Sequence, residues 1–335
     1  VRSQNEPLTP APAQGTQQEW QLAIATYNLE NFNSLLDLER SRQIAEEIVD
    51  YLKAPDILVL QEVMDDDGSL DSQVVSAQRN IASLIDDITT VSNGAVVYKA
   101  LNIDPNRNAD GGIDGGNIRT VILYQTKRGL RLASNTVGTA DQETALTAEN
   151  SRAMLSLNPG RIWPGNSAFI NSRKPIAAQF VFNGQDIYII GNHFNSKGED
   201  GPLYGDQQPP QTPSERQRIA QAKAVNGFVR DILDINPQAM IVVLGDLNDF
   251  PWSASIQTLE GDLLENLVNN LPENQRFTYL HDGNGQTLDQ MLASRSLAGR
   301  LVDYQVVHIN SLSLPKEASS DHDPVVAVFD LSAIE

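Results

Sequence analysis

Short apolar runs, each followed at once by polar side chains, recur along most of this chain. Their length and β-branched content predict strands, which cover 21–27, 56–63, 96–101, 120–124, 176–182, 186–191, 239–244, 287–293 and 325–330. Apolar residues at helical spacing predict helices at 38–52, 78–88 and 214–235, the last with Ser214 as its N-cap. Strands interleaved with helices predict an α/β fold built on sheets.

The first 19 residues differ in character from the rest. They are rich in Gln, Pro and Ser and lack apolar periodicity, which predicts a disordered or loosely attached arm over 1–19. No convincing linker follows, so 20–335 is expected to form a single catalytic domain. No apolar run reaches the length of about 18 residues that a membrane helix needs.

The charge and the cysteine count exclude several classes of protein. The chain has 24 Lys and Arg against 43 Asp and Glu, a formal charge of −19, whereas a dedicated nucleic-acid-binding module should be basic. An enzyme that meets phosphates through metal ions is still allowed. Cysteine is absent, which excludes disulfides, thiolate metal sites and cysteine catalysis. This composition is compatible with an extracellular or periplasmic location, with any signal peptide already removed.

Polar side chains stand at the ends of five predicted strands, where a purely structural role expects none. They are Asn28, Glu62, the pair His193 and Asn195, the pair Asp246 and Asn248, and the pair Asp321 and His322. Asp289 lies inside a sixth strand. Strand ends converge at the edge of a sheet, so these side chains are expected to share one cleft. Singly, each also fits a turn or a solvated loop.

The residue types suit hydrolysis of phosphate esters. Glu62 and Asp321 offer hard oxygens for Mg²⁺ or Mn²⁺, and Asn28 can add a carbonyl oxygen. Such an ion would polarise a phosphoryl oxygen. Asp246 can orient or deprotonate an attacking water, while Asn248 can hold that water or donate to a phosphate oxygen.

Histidines and arginines complete the predicted site. His193 and His322 can carry protons or donate to phosphate oxygens, and Asp289 can fix the tautomer of His322. The candidate phosphate contacts are Arg119, Arg173 and Asn195. Only four histidines occur in the chain, and two of them stand in these clusters.

Six motifs occur in the order typical of a known family. They are Thr-Tyr-Asn-Leu-Glu-Asn around Asn28, Leu-Gln-Glu-Val around Glu62, Gly-Asn-His-Phe-Asn-Ser around His193, Gly-Asp-Leu-Asn-Asp at 245–249, Leu-Asp at 288–289 and Ser-Asp-His at 320–322. Over 21–331 the chain resembles the endonuclease/exonuclease/phosphatase superfamily. The stretches 192–197 and 245–251 look most like its secreted bacterial extracellular-nuclease branch.

This resemblance implies a fold and a set of roles. The fold is a four-layer α/β/β/α sandwich with two packed mixed β-sheets, and the activity is metal-dependent cleavage of phosphate esters. The roles carried over are metal binding for Glu62, Asn28 and Asp321, positioning of nucleophile and phosphate for Asp246 and Asn248, catalysis for His322 with Asp289 and for His193, and phosphate contact for Arg173.

Two positions depart from the family pattern. Gln290 stands where the extracellular-nuclease branch often has another histidine. His193 has no evident acidic partner in the sequence, and Asn117 is the candidate replacement. His322 therefore has a predicted carboxylate partner, Asp289, whereas His193 has no such partner in the sequence.

A second metal site is suggested by the loop 104–110. Asp104, Asn106, Asn108 and Asp110 place oxygens at alternate positions, as calcium loops do. The twelfth position is Gly115, so the complete helix-loop-helix pattern is not met. A Ca²⁺ site and an ordinary Asx turn remain the two interpretations.

Three functions are compatible with these residues. The first is a secreted, monomeric, metal-dependent nuclease that cuts DNA with little sequence preference, with RNA left open as a substrate. The second is a phosphatase or phosphodiesterase for small phosphorylated molecules, which the acidic charge suits better. The third, a binding module without catalysis, conflicts with the intact polar set. None of them calls for a membrane. The path of the long segment 134–172 is expected to discriminate between the nuclease and the phosphatase, because a phosphatase needs a closed pocket and this segment could form it.

Overall fold

The computed structural model describes residues 10–198, 200–202, 205–314 and 316–332. Five α-helices occur in these residues: α1 (Leu38–Glu46), α2 (Gln78–Val91), α3 (Pro213–Ile235), α4 (Ala254–Glu260) and α5 (Arg295–Ala298). A π-helical segment, Glu47–Tyr51, continues α1.

Seventeen strands occur in the same described residues. They are β1 (Gln21–Phe32), β2 (Ile57–Val63), β3 (Tyr98–Leu101), β4 (Arg119–Gln125), β5 (Arg131–Leu132), β6 (Leu146–Glu149), β7 (Arg152–Leu155), β8 (Gly160–Arg161), β9 (Ile176–Phe182), β10 (Gln185–His193), β11 (Met240–Asp246), β12 (Leu264–Asn266), β13 (Tyr279–His281), β14 (Asn284–Gln286), β15 (Asp289–Ser294), β16 (Leu301–Val306) and β17 (Val325–Asp330).

Two mixed sheets contain most of the strands. The first has the order β16-β17-β1-β2-β4-β3, and its β1–β2 pair is parallel. The second has the order β12-β15-β11-β10-β9-β5, with β8 also on β9, and its β10–β11 pair is parallel. The other pairs in both sheets are antiparallel. Each sheet therefore has one parallel pair, and these two pairs supply the functional cluster described below.

Alternation of side chains along the strands produces three apolar layers. In β1, Ile24 faces the core between the two sheets and Ala25 faces the layer under α1 and α2. In β11, Val242 faces the same central core, while Val243 faces the layer under α3 and α4. The four-layer α/β/β/α sandwich implied by the resemblance is thus confirmed. No helix in the described part of the chain is long and apolar enough to cross a membrane.

Helix α3 begins two residues away from the predicted point. Its N-cap is Thr212, and Pro213 occupies the first turn, where a missing N–H costs nothing. The predicted cap, Ser214, lies inside the helix and donates its hydroxyl to Asp200 Oδ2 at 2.6 Å. Sequence spacing could not show this, because Asp200 reaches Ser214 only through the folded loop.

Residues 10–20, the described part of the segment before β1, contact the rest of the domain. Ala13 is buried, and its backbone N–H donates to Tyr51 O at 2.7 Å. Arg128 donates to the carbonyl oxygens of Gln18 and Glu19. The prediction of a loose arm is therefore wrong for residues 13–19, and residues 1–9 lie outside the described chain.

Within the long segment 134–172, residues 146–155 form a hairpin, β6–β7, far from the strand ends that carry the polar residues. Ala153 and Leu155 join the apolar layer beside α3, and Arg152 Nε donates to Asp186 at 2.6 Å. Asp186 is the second residue of β10 and His193 is its last, which separates them by about 20 Å of extended strand. This hairpin therefore does not close a pocket over the polar residues.

Candidate functional site

The two parallel strand pairs end side by side at one edge of the sandwich. Asn28 and Glu62 come from β1 and β2 of the first sheet, and His193 and Asp246 come from β10 and β11 of the second. The Asn28 amide donates to Asp246 Oδ2 at 3.0 Å and to Glu62 Oε1 at 3.2 Å. The polar residues predicted to share a cleft are thus in contact across the boundary between the sheets.

A bulge in β1 holds Glu62 in place. The register between β1 and β2 shifts between Asn28 and Phe32, and within this bulge Asn31 donates its backbone N–H to Glu62 Oε2 at 2.9 Å. Glu62 itself has a φ of +59°, and Asn248 has a φ of +51°. Left-handed backbone at residues other than glycine costs free energy and is concentrated at functional sites.

Gly245 allows β10 and β11 to approach just before the functional residues. It has a φ of +133°, and a Cβ atom added there would lie 2.0 Å from Asn192 O. Any side chain would push the two strands apart. The glycine therefore fixes the spacing between His193 and Asp246, which are paired in the strand register.

Asp246 is a buried carboxyl group that accepts three hydrogen bonds from two residues. Oδ1 accepts the Asn248 N–H at 2.9 Å, and Oδ2 accepts the side-chain amides of Asn28 at 3.0 Å and Asn248 at 3.1 Å. Burial, with the nearby charges of Asp289 and Glu62, raises the pKa of Asp246 to about 7, although His322 opposes the shift. This group can take up a proton near neutral pH.

His322 is held by a buried carboxylate. Its Nδ1 lies 2.6 Å from Oδ2 of Asp289, which is fully buried. Its backbone N–H donates to Ser320 Oγ, and that hydroxyl donates to Asn28 O at 2.7 Å. Burial alone would lower the pKa of His322, but the charge and hydrogen bond of Asp289 raise it well above its ordinary value. The imidazole is therefore protonated and able to donate.

His193 lies beside the carboxylates of Asp246 and Glu62 and is in the neutral form. Its Nε2 is 3.5 Å from Asp246 Oδ2 and 3.7 Å from Glu62 Oε1. Burial, with the charges of Arg173 and His322, lowers the pKa of His193 well below its ordinary value. Its Nδ1 has no hydrogen-bond partner among the described residues.

Asn117 does not replace the acidic partner that His193 lacks. The Asn117 amide donates to Asp65 Oδ2 at 2.8 Å and to the carbonyl oxygens of Val74 and Gly115. These bonds tie down the loop before β4 instead of orienting the imidazole. The interpretation of Asn117 as the partner of His193 is wrong.

Three side chains are arranged to hold a metal ion. One ligand atom from each of Glu62, His193 and Asp246 lies within 4.8 Å of the others. Two carboxylates and a neutral imidazole suit a divalent cation. The donor set therefore fits an ion.

The predicted ligand set of Glu62, Asn28 and Asp321 differs from this trio. The side-chain oxygen of Asn28, Oδ1, accepts the Glu30 N–H at 3.0 Å. The side-chain nitrogen, Nδ2, therefore faces the carboxylates. The Asp321 side chain is 43% exposed, and its Oδ1 lies 3.8 Å from His322 Nε2. In this structure Asn28 bridges two carboxylates and Asp321 borders the histidine, and metal binding by these two residues stays a prediction.

The order and spacing of these residues decide the family. The model of the Endonuclease/Exonuclease/phosphatase family matches residues 25–322, most of the chain. The chain belongs to this family. Family membership makes it a metal-dependent phosphoester hydrolase that uses divalent ions. A comparison with curated protein sequences finds no match.

Solved structures with the family fold resemble this chain at low sequence identity. A truncated TDP2 of Caenorhabditis elegans is 17% identical, with a TM-score of 0.58, over 93% of this chain and 98% of its own. A D. rerio TDP2 complexed with single strand DNA product is 16% identical, with a TM-score of 0.54, over 92% and 98%. The human Nocturnin catalytic domain with bound sulfate is 18% identical, with a TM-score of 0.53, over 92% and 94%. These likenesses show the fold alone.

The raised pKa of Asp246 predicts that metal binding releases a proton. Since the pKa of Asp246 is about 7, the carboxyl group is mostly protonated at pH 6 in the metal-free protein. We expect Mn²⁺ binding to release about one proton at pH 6 and almost none at pH 8. Isothermal titration calorimetry in buffers of different ionisation enthalpy measures this number. Equal proton release at both pH values would contradict the assignment, and Asp246→Asn serves as the control.

The same shift sets the sign of the pH dependence of stability. The unfolded carboxyl ionises at its ordinary pKa near 4, whereas the buried Asp246 keeps its proton up to about pH 7. The folded state therefore binds more protons between these values. The contribution of Asp246 to the free energy of unfolding is fully present below pH 4 and is lost as the pH rises through 7.

Arg119 is not part of the cluster. Its guanidinium, of which 2% is exposed, donates to Asp104 Oδ1 at 2.7 Å and to the carbonyl oxygens of Val75 and Asn117. All three of its nitrogens have protein acceptors. The prediction of Arg119 as a phosphate contact is wrong, because its charge is used inside the fold.

We therefore expect Arg119→Met to affect stability and not substrate binding. The substitution leaves the carbonyl oxygens of Val75 and Asn117 without their donor and removes the partner of the part-exposed Asp104, so it should lower the free energy of unfolding by about 2 kcal/mol. Urea denaturation measures the change. Arg107→Met is the matched control, because its ion pair with Asp71 is exposed and should contribute under about 1 kcal/mol. A raised KM with unchanged stability in Arg119→Met would restore the phosphate-contact role.

Arg173 and Asn195 lie closer to the cluster. Arg173 is buried and donates from Nη2 to Phe194 O at 2.7 Å, while its Nε has no partner among the described residues. Burial lowers the pKa of Arg173, and the nearby Glu62 and Asp246 oppose the shift. The Asn195 N–H donates to Gln221 Oε1 at 2.9 Å. Both residues remain candidates for contact with a substrate phosphate.

The loop 104–110, all of it described, does not gather its oxygens around one point. The Asp110 carboxylate binds Arg161 at 2.9 Å and Lys174 at 2.6 Å, while Asp104 binds Arg119. The Asn106 amide donates to Asp141 Oδ1. The carboxylates thus pair with separate cations, and the loop does not form the predicted Ca²⁺ site.

Two aromatic features next to the cluster were not predicted from the sequence. The Tyr279 ring packs against His322 with ring centroids 4.8 Å apart. Phe250 and Trp252 stack with centroids 5.1 Å apart, and Trp252 is 71% exposed. Aromatic residues directly after the polar motif at 245–249 were the available signal.

Proposed function

We propose that this chain is a nuclease that hydrolyses phosphodiester bonds of DNA with little sequence preference, and that RNA is a second substrate. The observation that carries the proposal is one open cluster in which Asn28 joins Glu62 to Asp246, while Ser320 ties Asn28 to His322, whose Nδ1 is hydrogen-bonded to Asp289. In the metal-free protein burial raises the pKa of Asp246 to about 7, and the charge of Asp289 raises the pKa of His322 against the effect of burial. A positioned proton acceptor and a positioned proton donor both accelerate the hydrolysis of a phosphodiester.

Each proton transfer has a candidate group. Asp246 removes a proton from the attacking water, whose oxygen forms a bond to phosphorus. The ester bond on the opposite side breaks, and His322 protonates the leaving oxygen. The Asn248 amide, fixed by Asp246 and Phe194 O, is placed to hold the water or a phosphoryl oxygen. A divalent ion held by Glu62, Asp246 and His193 would supply charge neutralisation at the phosphate.

The accessibility of the cluster supports a polymeric substrate. Glu62 and Asp321 expose 19% and 43% of their side chains, so the cluster opens to solvent. The hairpin β6–β7 packs beside α3, about a strand length away, and encloses nothing here. TDP2 of D. rerio, which shares the fold, is known with a single strand DNA product.

Electrostatics favour a second candidate, a phosphatase or phosphodiesterase for small phosphorylated molecules. The formal charge of −19 opposes the approach of a polyanion. The basic residues expected to grip successive phosphates already have protein acceptors: Arg107, Arg119, Arg152, Arg161, Arg173 and Lys197. A small substrate needs only the cluster itself.

A plasmid-nicking assay separates the two candidates. The protein is incubated with supercoiled plasmid in Mg²⁺, in Mn²⁺ plus Ca²⁺, and in EDTA, with His322→Ala as the control. Nicking that requires the metal and is lost in the variant supports a nuclease. Intact plasmid and an intact single-stranded oligonucleotide, together with release of phosphate from nucleotides or sugar phosphates, would move the assignment to the phosphatase.

An extracellular or periplasmic location and a monomeric state are part of the same proposal. The location rests on the resemblance of 192–197 and 245–251 to secreted bacterial nucleases. Fractionation of the source cells, with activity measured in each fraction, tests it. Analytical ultracentrifugation tests the monomeric state.

A further inference from the structure

A flat aromatic surface lies beside the catalytic cluster. Phe250 and Trp252 stack almost parallel, with centroids 5.1 Å apart and an interplanar angle of 5°. The Lys197 ammonium sits 4.6 Å from the centroid of the Phe250 ring. Trp252 is 71% exposed, so most of this large ring contacts water. We call these two rings the aromatic pair.

The aromatic pair is anchored to the segment that holds Asn248. Lys197 Nζ donates to Asn248 O and to Asp249 Oδ1. The other oxygen of Asp249 accepts Arg218 Nε at 2.9 Å and Ser255 Oγ at 2.7 Å. Arg218 is fully buried, so this network is rigid. The position of the aromatic pair relative to the catalytic residues is therefore fixed before any substrate arrives.

The chemistry of the aromatic pair suits a planar, π-bonded ligand. An exposed, preformed ring face offers stacking to any nucleobase, because every base has a π face. A base inside a duplex already has neighbours on both faces, so only an unpaired base can lie against Trp252. The protein has a formal charge of −19, and its cations near the cluster are paired with protein acceptors, so it attracts the phosphates of a nucleic acid only weakly. Base stacking must therefore supply a large share of the affinity for nucleic acid.

We propose that Trp252, backed by Phe250, binds one unpaired nucleobase next to the scissile phosphate and makes this enzyme select single-stranded nucleic acid. The inference rests on the proposed nuclease function and adds the substrate form. Lys197, which binds the Asn248 carbonyl, links the base site to the residue that positions the phosphate.

The kinetic test compares Trp252→Ala with the wild type on three substrates. These are a single-stranded oligonucleotide, the same strand with abasic sites, and the duplex. We expect the variant to raise KM on the base-bearing strand by about tenfold, the scale of one stacked base, with no such rise on the abasic strand. Trp252→Phe, which keeps a ring, should restore most of the affinity. Trp20→Ala, at the exposed start of β1, is the matched control.

A binding measurement separates this inference from the nuclease proposal. Quenching of tryptophan fluorescence by oligo-dT in EDTA reports stacking without cleavage, and it should vanish in Trp252→Ala but not in Trp20→Ala. Quenching without any metal-dependent cleavage would sustain the base site and overturn the nuclease. Cleavage with an unchanged KM in Trp252→Ala, or equal rises on base-bearing and abasic strands, would overturn the base site.

Discussion

Replacement of His322 by alanine should lower kcat for phosphodiester hydrolysis by about 10² to 10⁴-fold, the range for loss of a general acid. The physical reason is the hydrogen bond that His322 Nδ1 donates to Asp289 Oδ2 at 2.6 Å, because it raises the pKa of the imidazole and keeps a proton available for the leaving oxygen. Steady-state rates on a defined oligonucleotide in saturating Mg²⁺ measure the loss.

Two controls identify the origin of that loss. Asp289→Asn keeps the size of the side chain but removes the charge that raises the pKa of His322, so the falling limb of the pH–rate profile should move to lower pH. A substrate with a p-nitrophenolate leaving group needs no protonation and should recover much of the rate in His322→Ala. Equal losses on both kinds of substrate would argue against proton donation.

Asp246→Asn should lower kcat by at least about 10²-fold and also weaken metal binding. The substitution removes both the proton acceptor and one carboxylate of the trio with Glu62 and His193. The hydrogen bonds from Asn28 and Asn248 to Oδ2 lose their acceptor if the new amide turns its nitrogen toward them. Rates measured against Mn²⁺ concentration separate the two effects.

A matched comparison is offered by Asp249→Asn. Asp249 lies three residues further on and pairs with Arg218 and Lys197, outside the metal trio. Its substitution should destabilise the fold without changing the dependence of the rate on Mn²⁺. Wild-type kcat and metal affinity in Asp246→Asn would reject the site as described.

The sequence was sufficient for the position of the cluster, and the reason is topological. Apolar runs locate strands, and a polar residue at the end of a parallel pair has to meet its neighbours at the same edge. Asn28, Glu62, His193 and Asp246 follow this rule, and the structure brings them together. The order of the motifs along the chain also predicted the four-layer sandwich, because that order is typical of a family with a known topology.

Details that depend on long-range pairing could not be predicted. Arg119 was predicted to contact phosphate, but in the fold it donates to Asp104 and to two backbone carbonyl oxygens. The spacing of 104–110 resembled a calcium loop, but Arg161 and Lys174 reach Asp110 from distant segments. Local patterns give the donors and acceptors of a residue, whereas the fold decides which of them remain available.

The strand order also determines when activity can arise during synthesis. β17 pairs with β1, and His322 stands three residues before β17. The second sheet, made by residues 131–294, is complete before this last strand of the first sheet emerges. A growing chain therefore carries Glu62, His193 and Asp246 on the ribosome while the proton donor is still missing. Catalysis begins only after residues 322–330 have emerged and β17 has paired with β1.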